Sequence, residues 1–202
     1  MTVTSTPITA QSLADYVKGT AERARAEEQH LNSADAKLGD GDTGSMLVRV
    51  LKAMADSEAG GANSLSEAAR RMALAAMRET GSSLGTLVAT AAMTLAKEAQ
   101  AREARDALLM DADLPYLLAE IGKALSARGK SELGDKTILD SIAAVQQGLR
   151  NAVITRDTAR AAAQNALTRF HGKPCRIGRA RMFPEKSRDL DDPGMLAVSI
   201  LI

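Results

Sequence analysis

Aromatic residues are scarce in this sequence: among 202 residues there are two Tyr, two Phe and no Trp. Hydrophobic residues nevertheless make up 45% of the chain, so the core has to be built from Ala, Leu, Ile, Val and Met. Together with Glu, Lys and Arg, these residues favour helices, whereas a β-sandwich of this size would use more aromatic and β-branched residues. The composition therefore predicts an all-α protein, and the length fits one domain over residues 1–202.

Other features that mark whole classes of protein are also missing. The single cysteine, Cys175, cannot form an internal disulfide, which suits a reducing compartment. A net charge of +1 and the lack of an aromatic stacking platform argue against nucleic-acid binding. Residues 1–10 have neither a basic start nor an apolar run, and no segment approaches the ~20 apolar residues that cross a bilayer. We therefore expect a cytoplasmic protein that has no signal peptide and binds neither nucleic acid nor membrane.

About eight helices are predicted from apolar residues that recur every three or four positions and from the residues at helix ends. The predicted helices run from Thr9 towards Gln29, from Ser45 past Met54, from Ser64 or Ser66 to Met77, from the Gly81–Gly85 interruption to about Gln100, from Asp113-Leu114-Pro115 to Arg128, from Asp135 or Thr137 onwards, from Arg156 to Phe170, and after Asp192. Residues 32–44 are predicted to be a loop, and residues 171–191 a long polar segment. Mostly short connections predict an antiparallel bundle.

Three aspartates and two glycines lie close together in residues 35–42, here called the aspartate loop. Carboxylates held near one another repel unless a cation compensates, and Mg²⁺ commonly uses a few carboxylates, waters and substrate phosphates. Gly39 and Gly41 within the loop, and Gly44 just after it, let the backbone turn sharply and let a phosphate approach. The helix that follows attracts phosphate through its free N–H groups. Asp35, Asp40 and Asp42 are therefore candidate ligands of a magnesium nucleotide.

The aspartate loop allows other interpretations. A solvated acidic turn explains an isolated Asp-Gly-Asp. An EF-hand that starts at Asp35 would need glycine at Asp40 and glutamate at Met46, and has neither. An aspartate-nucleophile phosphatase would place Asp40 after an apolar strand, which residues 31–37 do not resemble. The acidic turn stays open on the loop alone.

Further motifs follow along the chain: Gly81-Ser82-Ser83, Arg128-Gly129-Lys130, Gly134-Asp135-Lys136-Thr137-x-Leu139-Asp140, Gly178-Arg179-Ala180 and Asp192-Pro193-Gly194. In this order, and together with the aspartate loop, they resemble the nucleotide-binding L subunit of dihydroxyacetone kinases and their sugar-kinase relatives. The resemblance covers nearly the whole chain. It implies a barrel-like helical bundle in which loops at one end hold the nucleotide.

The resemblance also implies roles for particular residues. Asp35, Asp40 and Asp42 would coordinate two Mg²⁺ ions that bridge the phosphates of ADP or ATP. The nucleotide-binding residues would be Thr43, Gly44, Ser45 and Met46 at a helix start, Ser82 and Ser83 near the phosphates, Gly129 and Ile138 beside the adenine, and Arg179, Asp192, Pro193 and Gly194 over the nucleotide. Arg179 would also be catalytic. The alternatives are helix capping for Ser82, Ser83 and Asp192, a core position for Ile138, and a solvated Arg179.

A partner subunit is implied as well. In this family the small hydroxyketone substrate binds to a separate K subunit, on a histidine that forms a covalent adduct. This chain has only His30 and His171 and no room for that α/β domain. The resemblance therefore implies the phosphoryl-donor half of a two-component kinase for dihydroxyacetone or a related keto-sugar, as in glycerol metabolism. The donor would be ATP, or ADP that stays bound and is rephosphorylated by a phosphotransferase-system phosphocarrier; a homodimer is left open.

The chain departs from the family pattern at several positions. Thr43 stands where histidine is usual, Leu84 where glycine is usual and Met195 where a small residue is usual. Residues 182–191 lose most of the pattern. These departures leave a second hypothesis, a non-catalytic regulatory or interaction module with the same fold.

Overall fold

The computed structural model describes residues 5–202, and within them the chain forms ten α-helices and three short 3₁₀ helices. The α-helices are α1 (Ala10–Ala26), α2 (Glu28–Asp35), α3 (Thr43–Ala55), α4 (Leu65–Glu79), α5 (Ser83–Glu103), α6 (Leu114–Gly129), α7 (Ile138–Asn151), α8 (Arg156–Phe170), α9 (Pro184–Arg188) and α10 (Pro193–Leu201). The 3₁₀ helices are Ala59–Gly61, Asp111–Asp113 and Arg179–Met182. The described residues contain no β-strand, only an isolated antiparallel bridge between Pro7 and Met110. The all-α prediction is confirmed.

Hydroxyl side chains begin several of these helices. The Thr9 side chain accepts a hydrogen bond from the Ser12 N–H at the start of α1, and Ser64 accepts one from the Glu67 N–H at the start of α4. Thr137 begins α7 in a capping box with Asp140. Each cap satisfies a backbone donor that has no partner inside its helix. Of the alternatives left open by the sequence, the structure therefore uses Ser64 and Thr137.

The two helices beyond the predicted eight are α2 and α9. The prediction of one helix from Thr9 towards Gln29 was wrong at its end, because α1 ends at Ala26 and α2 starts at Glu28. Residues 32–35 are helical rather than part of a loop. The fully buried Leu31 fixes α2 against the core and turns its polar face towards the aspartate loop. The predicted polar segment contains a 3₁₀ helix and α9, neither of which has a long apolar stripe.

The helices pack as a ring around an aliphatic core. Neighbours in sequence pack side by side from α3 to α8, and α1 lies against α3 and α4. The last helix, α10, contacts α7 and α8 as well as α2 and α1, so it closes the ring. The most extensive contact is between α4 and α5, and these two helices bury many small side chains: Ala68, Ala69, Ala73, Ala76, Ala89, Ala92, Ala96 and Ala99. Tyr16, Tyr116 and Phe183 are exposed, so the core is built without them.

Hydropathy separates these helices from membrane spans. No helix among residues 5–202 combines the length and the apolar character needed to cross a membrane. The expectation of no signal peptide at the start of the chain concerns residues 1–4 in part, and these lie outside the described residues.

Candidate metal and nucleotide site

The three aspartates of the aspartate loop meet at one place in the structure. One carboxylate oxygen from each of Asp35, Asp40 and Asp42 lies within 4.8 Å of the other two. Asp35 is buried, whereas Asp40 and Asp42 are exposed. Because like charges at this distance repel, the arrangement calls for a compensating cation.

The fold of the loop explains how Asp35 is held. Asp35 is the last residue of α2, and its Oδ2 accepts hydrogen bonds from the backbone N–H groups of Gly41 (3.0 Å), Asp42 (3.0 Å) and Thr43 (3.3 Å). Gly41 has φ +77°, a left-handed conformation that glycine adopts without strain. All three donors bond the same oxygen, so Oδ1 is left for a ligand.

Asp40 and Asp42 are held more loosely. The Asp40 carboxylate forms an ion pair with the guanidinium of Arg179. The hydrogen bond from Arg179 is the main reason that the pKa of Asp40 lies below its usual value. Asp42 is the N-cap residue of α3, yet its side chain caps no N–H group. The Asp42 carboxylate is therefore available for a metal, and a positive charge already lies beside Asp40.

The start of α3, predicted to bind phosphate, is tied to α2. Ser45 donates from its N–H to Asn32 Oδ1 (3.1 Å) and from its hydroxyl to Glu28 Oε1 (2.7 Å), and Asn32 Nδ2 donates to Ser45 Oγ (2.9 Å). The N–H groups of Thr43 and Met46 also have acceptors, Asp35 and the Asp42 carbonyl. Backbone N–H groups at this helix start are therefore largely used within the protein, and phosphate binding by residues 43–46 stays a prediction.

The serine loop (residues 81–85) adjoins the start of α3. Ser82 is the N-cap residue of α5, where its hydroxyl accepts the Gly85 N–H at 3.0 Å, and Ser83 is exposed. A Cβ on Gly85 would overlap Thr80 Oγ1 and lie 3.0 Å from Met46 Sδ. The glycine that this loop requires is thus Gly85, while Leu84 packs against the core. The capping role of Ser82 is observed, and its contact with a phosphate stays a prediction.

Gly129, predicted to flank the adenine, ends α6 beside α5. A Cβ placed on it would lie 3.6 Å from Leu87 Cδ2. A groove of about 760 Å³ runs along α5, and its lining includes Arg128, next to Gly129, and Thr80 and Thr86, on either side of the serine loop. The serine loop and the end of α6 at Gly129 therefore lie beside the same groove.

Ile138 and the Asp192-Pro193-Gly194 turn also meet. A Cβ on Gly194 would lie 3.4 Å from Ile138 Cβ, so the turn packs on the first residue of α7. Asp192 caps α10 by accepting the Met195 N–H at 2.8 Å. Burial raises the pKa of Asp192 to about 6. The capping role of Asp192 is observed, and its contact with a nucleotide stays a prediction.

Some residues that shape the site were missed by the sequence interpretation. Glu28 and Asn32 precede Asp35 by seven and three positions, so all three share one face of α2. That periodicity was visible, but the predicted loop over residues 32–44 concealed it. Lys136 is buried and bonds to carbonyls 37 to 52 residues away, so no local pattern could reveal its role.

Comparison with known proteins adds independent information. The model of the DAK2 domain family matches residues 37–202. The chain is 29% identical to the ADP-binding subunit DhaL of PEP-dependent dihydroxyacetone kinase 1 from Listeria innocua, over 89% of this chain and 87% of that protein. It is 26% identical to the ADP-binding subunit DhaL of the PEP-dependent dihydroxyacetone kinase from Escherichia coli, over 87% of this chain and 86% of that protein.

A solved structure agrees with the fold. The chain superposes on the dihydroxyacetone kinase from C. freundii, crystallised in complex with AMP-PNP and Mg²⁺, with a TM-score of 0.69 and 20% identity. The match covers 99% of this chain and 34% of that kinase, so this chain spans about one third of the crystallised protein. At this level of identity the likeness confirms the fold alone.

Proposed function

Because this chain belongs to the DAK2 domain family, we propose that it is the nucleotide-binding, phosphoryl-donor subunit of a two-component dihydroxyacetone kinase. The observation that carries the proposal is the convergence of Asp35, Asp40 and Asp42 within 4.8 Å, with Arg179 beside them. The relatives described as ADP-binding kinase subunits support it over most of their length. The same nucleotide site is compatible with a keto-sugar other than dihydroxyacetone as the acceptor, because the acceptor would be bound by another subunit.

The three carboxylates fit magnesium. An octahedral ion at ~2.0–2.1 Å from each oxygen holds its ligand atoms at most about 4.2 Å apart. The three carboxylate oxygens, which all lie within 4.8 Å of one another, are close enough to share an ion or to hold a pair of ions about 3.5–4 Å apart. We propose two Mg²⁺ ions, which when bound would neutralise the charge on the phosphates of ADP or ATP.

Each side chain has a distinct task in this proposal. Asp35 would bind a Mg²⁺ ion through Oδ1, while its Oδ2 holds the backbone of the aspartate loop by accepting the N–H groups of residues 41–43. Asp40 and Asp42 offer exposed carboxylates on the solvent side. Arg179 lies beside any phosphate held at the carboxylates and stabilises the negative charge of the transferring phosphoryl group. The predicted contacts of Thr43–Met46, Ser82, Ser83, Gly129, Ile138 and Asp192–Gly194 complete the nucleotide site.

The direct test is calorimetric titration of the purified protein with ADP and ATP, with and without Mg²⁺. We expect binding that requires Mg²⁺ and that is weakened about 100-fold or more in Asp40→Ala. Asp56→Ala is the matched control, since Asp56 is an acidic residue at the other end of α3 that pairs with Lys52. Absence of Mg²⁺-dependent binding by the wild type would refute the proposal and favour the regulatory module.

Dependence on a partner gives a second expected result. The isolated chain should transfer no phosphate to dihydroxyacetone or a tetrulose, and turnover should appear when a K-type substrate-binding subunit is added together with the phosphate donor, either ATP or a phosphorylated phosphocarrier. An assay for the phosphorylated sugar measures both. Clear turnover by the chain alone would contradict the two-component assignment, while the proposal of a nucleotide site would still stand.

The proposal also covers the phosphate donor and the cellular location of the protein. Both DhaL relatives are named as subunits of PEP-dependent kinases, which favours a bound ADP that a phosphotransferase-system phosphocarrier rephosphorylates. A cytoplasmic location accords with that scheme.

A further inference from the structure

Lys136 is a buried lysine that the proposed function does not use. It lies just before Thr137, the N-cap residue of α7, with φ +62° and only 2% of its surface exposed. Lysine is almost never buried this completely unless its charge is paired. The surroundings of its ammonium group therefore need an explanation.

Three backbone carbonyls surround the ammonium group. Nζ donates to the carbonyl oxygens of Lys173 (2.9 Å), Ser187 (2.8 Å) and Arg188 (3.2 Å). An ammonium has three protons, so each can have an acceptor. Ser187 and Arg188 end α9, and carbonyls at a helix end have no partner within the helix and attract positive charge.

Other bonds hold the same region together and tie it to the residues just before α7. The Ser187 hydroxyl donates to the Pro184 carbonyl (2.7 Å) and accepts the Cys175 N–H (2.9 Å). The Arg176 N–H donates to the Asp135 carbonyl at 3.0 Å. A helix of five residues such as α9 is not stable by itself. The 171–192 segment is therefore held in shape around Lys136.

The 171–192 segment in turn lies on the aspartate loop. Leu38 of that loop packs with Cys175, Ala180 and Leu190, and Arg179 pairs with Asp40. Burial lowers the pKa of Lys136, which shows that the charged form is disfavoured by its surroundings. An apolar side chain would fill this space without that cost, but it could not bind three carbonyls in fixed directions.

We propose that Lys136 is the positioning residue that fixes the 171–192 segment on the aspartate loop and thereby sets Arg179 beside Asp40. The inference rests on the proposed function, because its benefit is the placing of Arg179 at the nucleotide phosphates. The hydrogen bonds of the Lys136 ammonium go to the 171–192 segment and not to the three metal-site carboxylates, so Lys136 acts through the segment.

The test compares Lys136→Met with Lys186→Met, the same substitution at an exposed lysine of α9. We expect Lys136→Met to weaken Mg²⁺-dependent ATP binding about 10–100-fold, as loss of an outer-shell partner does, and Lys186→Met to leave it unchanged. The loss should largely disappear in an Arg179→Ala background, since coupled residues are not additive. Additive losses would show a merely structural role and overturn the proposal.

Hydrogen exchange measured without nucleotide separates this proposal from the proposed function. In Lys136→Met the amides of residues 172–190 should exchange faster, while those of α4 and α5 keep their rates. If the wild type binds no nucleotide, the proposed function fails. If Lys136→Met leaves the exchange rates of residues 172–190 unchanged, Lys136 does not anchor the segment, whether or not the protein binds nucleotide. Should Lys136→Met fail to fold, Lys136→Gln removes the charge and leaves two N–H donors for the three carbonyls, and it serves in both measurements with the same expected directions.

Discussion

Replacing Asp35 with alanine is expected to abolish Mg²⁺-dependent nucleotide binding and, in addition, to lower the free energy of unfolding measured without metal. The buried Asp35 carboxylate accepts three backbone N–H groups, from Gly41, Asp42 and Thr43, and alanine leaves these donors without their acceptor. Such a loss costs about 1–3 kcal/mol. Denaturant unfolding in the presence of a chelator measures the stability, and calorimetry with ADP and Mg²⁺ measures the binding.

Two further variants separate the roles of Asp35. Asp40→Ala should lose binding but keep the melting temperature of the wild type, because Asp40 is exposed and its ion pair with Arg179 lies at the surface, where such pairs contribute little to stability. Asp35→Asn keeps an acceptor oxygen but not the charge, so it should be more stable than Asp35→Ala and still bind poorly. Equal stability losses at Asp35 and Asp40, or normal nucleotide binding by Asp35→Ala, would contradict this division of roles.

The sequence was sufficient to predict the parts of the site that depend on residue type over a short distance. Three carboxylates separated by glycines predicted a cluster, and the structure brings their oxygens together. Hydroxyl and carboxyl groups at helix starts, such as Thr137 and Asp192, were recognisable because capping involves residues two or three positions apart. Aliphatic periodicity likewise predicted most helices, since burial of one face follows from the 3.6-residue repeat.

The remaining features depend on contacts between distant parts of the chain. The ammonium of Lys136 bonds to carbonyls that only the folded 171–192 segment supplies, and Arg179 reaches Asp40 because Leu38 packs under the same segment. The break at Glu27 between α1 and α2 has no proline or glycine to announce it. Backbone acceptors also carry no side-chain signal, so the partners of Lys136 could not be found from residue types.

Gly44 shows that a glycine of a predicted binding motif can be required for a physical reason other than the expected one. From the sequence, this glycine was expected to let a phosphate approach the start of α3. In the structure the space where its Cβ would lie is already filled by the Glu28 carbonyl oxygen, and Asn32 Oδ1 lies 2.8 Å from that position. Glycine is therefore required by the close crossing of α2 and α3, whether or not a phosphate is present.

Gly44→Ala should consequently destabilise the protein by about 2–3 kcal/mol, even though alanine is the better helix former by about 1 kcal/mol. The clash prevails because the obstructing atoms belong to the backbone of α2, which cannot rotate away as a side chain can. Gly61→Ala is the control, since a Cβ there meets nothing within 4 Å, and its effect should stay within about 0.5 kcal/mol.

Displacement of α3 from α2 would also move Thr43 away from Asp35, so nucleotide affinity should fall under conditions where Gly44→Ala is still folded. Urea unfolding of both variants decides the point: equal stability would mean that α2 and α3 cross less closely than the structure shows.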